Sequence, residues 1–308
     1  MIAFVFPGQG SQQVGMGKAL AASFPVCQET FDEADMALDE TLSKLCFEGP
    51  ERELMMTENT QPALLTVEIA TYRLLVSKGI VPAFMAGHSL GEYSAHVAAG
   101  TLSFTDGLRI VRKRGRYMQE AVPLGTGAMA AVLGLDGSIV SKACEETGLN
   151  EVVSTANFNA PGQVVIAGTI KAVARASTRM LELGAKRVLR LPVSAPFHCA
   201  LMKPAEEKLS PELRALSVRD PKVPVIANVD AKVKRHGADA INALIDQVSS
   251  PVLWTDVVRR LASEGVSTYI EVGPGSVLSG LIRKIDRRAR VRRIEDPDGL
   301  LALEKLLM

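Results

Sequence analysis

Residues 84 to 92 read FMAGHSLGE, which places a serine between two glycines where an apolar strand gives way to a helix. In that context G-x-S-x-G is a nucleophile elbow, a strained turn that lifts the serine hydroxyl clear of the sheet. Glycines are needed beside the turn because side chains there would clash with neighbouring backbone. The following helix adds its dipole, and the backbone N–H of Leu90 can point at an oxyanion formed on Ser89. The stretch therefore favours Ser89 as a nucleophile over a serine that merely caps a helix.

Strands and helices alternate on both sides of this elbow. Ile2 to Phe6 is typical of a buried strand, and residues 61 to 78 carry apolar side chains at helical spacing that stops at Gly79. Residues 267 to 273, STYIEVG, predict a further strand. The alternation indicates a parallel sheet covered on both faces, because parallel strands need crossover connections.

The rhythm changes between Gly125 and Ser194. There the pattern predicts strand, helix, strand, strand, helix and strand, which is the ferredoxin-like order. We interpret residues 125–194 as an inserted small domain, and residues 1–124 and 195–308 as the larger catalytic domain. The predicted fold class is α/β.

Composition excludes several classes of protein. The 308 residues include 35 basic and 34 acidic side chains, so net charge gives no reason to expect nucleic acid as a partner. Four widely spaced cysteines without a CxxC pair indicate neither a disulfide framework nor a zinc site, and they fit a reducing cytoplasm. No basic leader or apolar run of about 18 residues predicts a signal peptide or a membrane span.

A neutral serine needs a base within hydrogen-bonding reach, and the chain has four histidines. His88 adjoins the serine and should project away from it, while His96 lies two helical turns, about 10 Å, further on. His236 belongs to a charged loop. His198, in VSAPFHC where the chain re-enters the larger domain, is favoured by elimination over a mere packing role. Its neighbour Cys199 is interpreted as a small buried apolar residue.

The third member of a triad is harder to place. A hydrolase with the order serine, acid, histidine would need an acid between Ser89 and His198. The aspartates in that interval are Asp106 and Asp136, and neither follows a strand of the main sheet convincingly. The third member therefore need not be a carboxylate.

One arginine falls where the core should be. Residues 107 to 119 predict a helix whose apolar face includes Leu108, Val111 and Met118, and Arg114 lies on that same face. An inward guanidinium needs an anion, and its fork suits a carboxylate. An internal acid or snorkelling to the surface would also serve. The lack of an obvious internal carboxylate and the nearby serine favour a substrate that carries one.

These segments together resemble the malonyl-CoA:acyl carrier protein transacylases of fatty-acid synthesis. The resemblance covers essentially the whole chain and rests on FVFPGQGSQ, GHSLGEYSA, KRG, PLGTGAMAAV, NFNAPGQVVIAG, SAPFHC and EVGPG, in the family's order. It implies an α/β-hydrolase-like domain with a ferredoxin-like insertion. It also implies ping-pong transfer of malonyl from malonyl-CoA to the phosphopantetheine thiol of acyl carrier protein, without a metal or redox cofactor.

The resemblance also implies roles for single residues. Ser89 would be the acylated nucleophile, His198 its base, and Arg114 the clamp on the malonyl carboxylate. Gln247 matches the residue whose carbonyl orients the histidine, which would fill the place of the missing acid.

A second group of residues is expected to bind the substrate. By resemblance, Gln9 helps to form the oxyanion hole with the N–H of Leu90. Phe197 lies at a position that is Phe in malonyl selectors and often Ser in methylmalonyl selectors. We also expect Asn157 and Met118 in the substrate site.

The carrier is the expected partner of an otherwise monomeric protein. Residues 283 to 293, RKIDRRARVRR, hold seven basic side chains against one acid, and acyl carrier proteins are acidic. This run, hereafter the basic run, is either a docking surface that uses Arg283, Lys284, Arg287 and Arg288 or an ordinary solvated face. Three other functions stay open: a serine hydrolase, a non-catalytic acyl-CoA-binding protein and a polyketide-type acyltransferase.

Overall fold

Two sheets organise the computed structural model, which describes residues 1–123, 125–193 and 195–307. The strands are, in chain order, β1 Ile2–Phe6, β2 Phe84–Gly87, β3 Gly127–Leu133, β4 Val153–Ala160, β5 Gln163–Thr169, β6 Arg187–Arg190, β7 Val225–Ile226, β8 Val233–Lys234, β9 Thr268–Val272 and β10 Arg290–Ile294. The helices are α1 Lys18–Ser23, α2 Pro25–Leu38, α3 Leu42–Glu48, α4 Glu51–Leu54, α5 Thr57–Ser77, α6 Leu90–Ala98, α7 Phe104–Glu120, α8 Gly137–Gly148, α9 Ile170–Glu182, α10 Lys203–Arg214, α11 Gly237–Gln247, α12 Trp254–Ser263, α13 Val277–Ile285 and α14 Pro297–Leu307.

The larger sheet has the order β10-β9-β1-β2-β7-β8. Its pairs are parallel except for the antiparallel pair of β7 and β8, which confirms the predicted parallel sheet. Phe6 at the end of β1 lies opposite Gly87 at the end of β2. The loop after β1 and the elbow after β2 therefore leave the same edge of the sheet, the edge at which parallel α/β sheets bind ligands.

The smaller sheet has the order β4-β5-β3-β6 and is antiparallel throughout. With α8 and α9 it follows the strand and helix order predicted for a ferredoxin-like unit, and it has its own apolar core. The division of the chain at residues 124/125 and 194/195 stays a prediction, since Leu124 and Ser194, like Met308, lie outside the described residues.

The two sheets meet through β4 and the segment before α12. The N–H of Val252 donates to the carbonyl of Ala156, and the N–H of Phe158 donates to the carbonyl of Val252, both at 2.9 Å. The hydroxyl of Thr255 adds a bond to the carbonyl of Phe158 at 3.0 Å. This contact holds the smaller sheet over the carboxyl-end edge of the larger one.

Part of the basic run has a regular structure that the sequence analysis did not anticipate. Residues 290–294 form β10, an edge strand parallel to β9, with Val291 and Ile294 buried beneath exposed arginines. Charged side chains are a common protection for an edge strand. In the part of the chain that the structure describes, no helix combines the length and apolar character needed to cross a membrane.

Candidate active site

Ser89 lies on the predicted elbow, between the end of β2 and the start of α6. Its backbone is strained, with φ 53° and ψ −105°. Both flanking glycines are required by close backbone contacts: a Cβ on Gly87 would lie 1.9 Å from the carbonyl carbon of Gly91, and one on Gly91 would lie 2.0 Å from the carbonyl oxygen of Phe6. The turn therefore holds the serine backbone in one conformation.

A chain of hydrogen bonds leads from the serine to the end of α11. The Ser89 hydroxyl lies 2.7 Å from Nε2 of His198, and Nδ1 of that ring lies 3.0 Å from the backbone carbonyl of Gln247. Gln247 is the last residue of α11, where a carbonyl has no intrahelical donor and is free to accept this bond. The third member is thus a carbonyl oxygen, and the ring must carry its proton on Nδ1. Asp106 and Asp136 instead lie at the starts of α7 and α8.

The His198 ring is poised to accept a proton. Burial, followed by the nearby Arg114 cation, lowers the pKa of His198 to about 3, so the ring is neutral near pH 7. A neutral Nε2 at 2.7 Å can take the hydroxyl proton as the serine attacks. Of the other histidines, His88 lies 2.8 Å from Asn159 Oδ1, and His96 lies 3.3 Å from the hydroxyl of Thr101. The ring of His236 is exposed beside Asp220.

Arg114 is buried beside the serine, as its position on the apolar face predicts, with 1% of its surface exposed. Nη1 donates to Gln61 Oε1 at 2.9 Å, and Nη2 donates to Gln247 Oε1 at 2.9 Å and to the Ser89 hydroxyl at 3.2 Å. The guanidinium carbon lies 5.1 Å from the centre of the Tyr93 ring. All these acceptors are neutral, and within the described residues Arg114 forms no salt bridge. Burial lowers the pKa of Arg114, yet guanidinium groups stay protonated in proteins. The site therefore holds a buried cation without a bound anion.

A cavity of about 120 Å³ opens onto these groups. Its lining includes the expected site residues Gln9, Ser89, Leu90, Arg114, Met118, Asn157, Phe197 and His198. Gln247 is not part of the lining and contacts the site from behind through His198 and Arg114. A larger groove of about 610 Å³ shares Gln9, His88 and Asn157 with the cavity and extends along the N-terminal half of α13.

The expected oxyanion donors lie at two ends of this cavity wall. Leu90 is the first residue of α6, a position whose N–H has no intrahelical acceptor. The side-chain amide of Gln9 donates to the hydroxyl of Thr57 at 3.2 Å, which uses one of its two N–H groups and leaves the other for a ligand.

The remaining expected substrate residues are largely buried in the cavity wall. Phe197 precedes the histidine, and Met118 lies one helical turn beyond Arg114 on α7. Asn157 belongs to β4 of the smaller sheet. Both sheets therefore contribute to the same cavity.

Three polar residues of the site were missed from sequence. Gln61 is a buried side chain within the apolar helix α5, and it accepts from Arg114. Asn228 follows β7; its Oδ1 accepts the Ser89 N–H at 2.7 Å and its Nδ2 donates to the Gly87 carbonyl at 2.7 Å. Glu92 is fully buried in the first turn of α6. The available signal was a polar residue inside an apolar stretch, which is expensive to bury without partners.

Comparisons with known proteins agree with this geometry. The acyl transferase domain family matches residues 3–294. The malonyl CoA-acyl carrier protein transacylase of Escherichia coli (strain K12) is 52% identical over 305 residues, which cover 99% of each chain. An acyl carrier protein S-malonyltransferase from Vibrio cholerae has a solved structure with a TM-score of 0.97 and 47% identity, covering 98% of this chain and 99% of that one. A malonyl-transacylase solved in complex with its type II PKS acyl-carrier protein has a TM-score of 0.96 and 47% identity, covering 99% of both chains. The chain therefore belongs to the acyl transferase family and, within it, to the malonyl CoA-acyl carrier protein transacylases.

Proposed function

We propose that this protein transfers a malonyl group from malonyl-CoA to the phosphopantetheine thiol of acyl carrier protein, through a malonyl ester on Ser89. The observation that carries the proposal is the buried guanidinium of Arg114, which lies 3.2 Å from the Ser89 hydroxyl and has only neutral acceptors. A substrate carboxylate is the group that would complete its fork.

The distance between clamp and nucleophile supports a short diacid. In a malonyl group a single methylene separates the carboxylate carbon from the thioester carbonyl carbon, so the two carbons lie about 2.5 Å apart. Arg114 and Ser89 are close enough for one such group to contact both. An acetyl group has the same reactive carbonyl but offers nothing to the guanidinium, so the clamp favours the malonyl donor.

The first half-reaction acylates the serine. His198 Nε2 takes the proton of the Ser89 hydroxyl as its oxygen attacks the thioester carbonyl carbon. The N–H groups of Leu90 and Gln9 stabilise the oxyanion that forms. The C–S bond then breaks, and the proton on His198 passes to the sulfur of the departing CoA.

The second half-reaction reverses these roles. His198 takes the proton of the pantetheine thiol, whose sulfur attacks the ester carbonyl carbon. The C–O bond to Ser89 breaks, and His198 returns the proton to the serine oxygen. The acyl group is stored as an ester, so neither a metal nor a redox cofactor takes part in our proposal.

We propose that the carrier docks on the basic run. Lys284 Nζ donates to Gln163 Oε1 at 2.9 Å, and Gln163 lines the larger groove together with Leu281 of α13. The basic run therefore begins at the rim of the groove, and Arg287 and Arg288 are exposed beyond it. An acidic carrier would be steered to this rim, mainly through the association rate.

We propose a monomer that acts in the cytoplasm and supplies fatty-acid elongation. The four cysteines are free and buried, as expected for a reducing compartment. A polyketide carrier is the second candidate partner, because one solved neighbour is bound to a type II PKS acyl-carrier protein.

Competition between thiol and water tests the proposed reaction. The enzyme is incubated with malonyl-CoA, with and without holo acyl carrier protein, and malonyl-carrier and free malonate are quantified. We expect malonyl-carrier as the main product and slow release of malonate. Malonate formation that is fast and unaffected by the carrier would instead identify a hydrolase.

A further inference from the structure

Glu92 occupies a central place behind the serine. Its side chain is fully buried in the first turn of α6, three residues after Ser89. Oε2 accepts two hydrogen bonds, one from the backbone N–H of Asn228 at 2.9 Å and one from Nε2 of Gln247 at 2.8 Å. Oε1 has no hydrogen-bond partner among the described residues. One carboxyl oxygen therefore holds two residues that do not touch the cavity.

The first of these residues, Gln247, contacts three groups of the site. Its backbone carbonyl accepts from His198, its Oε1 accepts from Arg114, and its Nε2 also donates to the Ser89 carbonyl at 3.0 Å. The amide has one orientation that fits, because the guanidinium can only donate and Glu92 Oε2 accepts. Without the acceptor on Glu92, Nε2 would keep only the Ser89 carbonyl and a long contact of 3.5 Å to Asn228 Oδ1.

The second residue, Asn228, braces the elbow. Its side chain accepts the N–H of Ser89 and donates to the carbonyl of Gly87, both at 2.7 Å. Its own backbone N–H is satisfied by Glu92. The position of the strained turn thus depends on the same carboxyl oxygen as the orientation of Gln247.

We infer that Glu92 is a positioning residue of the transfer reaction, which acts through Gln247 to aim the Arg114 guanidinium and thereby sets the preference for a malonyl donor. The inference rests on the proposed function. Glu92 would fill part of the place of the carboxylate that a hydrolase triad contains, but it acts on the clamp and the elbow rather than directly on the histidine.

The protonation state of Glu92 decides which substitution imitates it. Burial is the largest cause that raises the pKa of Glu92 to about 7; its two N–H donors and Lys234 oppose the rise, and Asp230 adds to it. A proton would lie on Oε1, since Oε2 faces two N–H groups. The neutral acid then keeps both hydrogen bonds, and glutamine is its close imitation.

The test compares Glu92→Met, which keeps the volume but removes both acceptors, with Glu92→Gln, which keeps one amide oxygen. Glu68→Met is the matched control, since Glu68 is also a fully buried carboxyl, on α5, and is not part of the cavity lining. For each variant, kcat/KM is measured with malonyl-CoA and with acetyl-CoA, and folding is checked by circular dichroism and thermal melting.

We expect Glu92→Met to lower the ratio of malonyl to acetyl kcat/KM by about tenfold, the value of one hydrogen bond to a charged group. Glu92→Gln should keep the ratio within about threefold, and Glu68→Met should lower stability without changing the ratio. In a Gln247→Met background, Glu92→Met should add less than about threefold, because both changes act on one pathway.

Two outcomes would overturn the inference. One is an unchanged donor ratio in folded Glu92→Met, and the other is an equal change in Glu68→Met. If Glu92→Met does not fold, Glu92→Asp, which withdraws the acceptor by one methylene, should lower the ratio in the same direction, and an unchanged ratio there overturns it as well. Wild-type enzyme that transfers no malonyl at all would refute the proposed function instead, so the two failures are distinguishable.

Discussion

Replacing Arg114 by methionine should convert a malonyl-selective enzyme into a poor and unselective one. The substitution removes the buried cation and keeps most of the side-chain volume. It leaves the oxygens of Gln61 and Gln247 without their donor, but it also removes a charge that is costly to bury. We therefore expect a folded variant whose principal change is in the substrate site.

The size of the effect follows from the contacts that a malonyl carboxylate would gain. A hydrogen bond to a charged group contributes about 1.5–3 kcal/mol, so a two-bond fork contributes about 3–6 kcal/mol, or roughly 10²- to 10⁴-fold in kcat/KM. Acetyl-CoA makes no such contact, and its kcat/KM should change by less than about fivefold. Arg114→Lys is the matched control, because it keeps the charge but loses the planar fork, and it should fall between the two.

Rapid-quench measurement of serine acylation with each donor reads these rates directly, without a contribution from the carrier. The reasoning is refuted if Arg114→Met lowers acylation by malonyl-CoA and by acetyl-CoA to the same extent. Such a result would make Arg114 a structural residue that holds Gln61 and Gln247 in place.

Three further predictions concern the acyl pocket, the carrier surface and the base. Phe197→Ser should raise kcat/KM for methylmalonyl-CoA by about tenfold, as expected when one methyl group is accommodated, and equal wild-type use of malonyl and methylmalonyl donors would contradict this. Reversal of Arg287 and Arg288 to glutamate should raise KM for the carrier and weaken its salt dependence while acylation by malonyl-CoA stays unchanged; a wild-type KM would place docking elsewhere. In the free enzyme the His198 resonance should remain that of a neutral imidazole as pH falls from 8 to about 4.5, because its pKa is lowered to about 3, and protonation near the ordinary value of 6.5 would refute this.

The elbow was predictable because its requirements are local. Gly87 and Gly91 flank the serine within five residues, and the close backbone contacts that demand glycine arise from that same turn and from β1 next to it. The inward position of Arg114 was predictable for a similar reason, since helical spacing assigns it to a face. The ferredoxin-like order could also be predicted, because its strands and helices each carry their own periodicity.

The supports of the site were not predictable from local pattern. Glu92, Asn228 and Gln61 each lie in an apolar stretch, where one polar residue gives no indication of its partner. Their hydrogen bonds join positions 136 and 53 residues apart in the chain, which only the folded structure brings together. Strand β10 was missed because arginines outnumber the two apolar residues that it buries.

The central claim is a covalent malonyl ester on Ser89, and intact-protein mass spectrometry after incubation with malonyl-CoA tests it most directly. We predict one malonyl adduct per chain, located on the peptide that contains Ser89, lost on addition of holo acyl carrier protein and absent from a folded Ser89→Ala variant. A malonyl adduct that persists in Ser89→Ala, or an adduct that the carrier thiol cannot remove, would contradict the account.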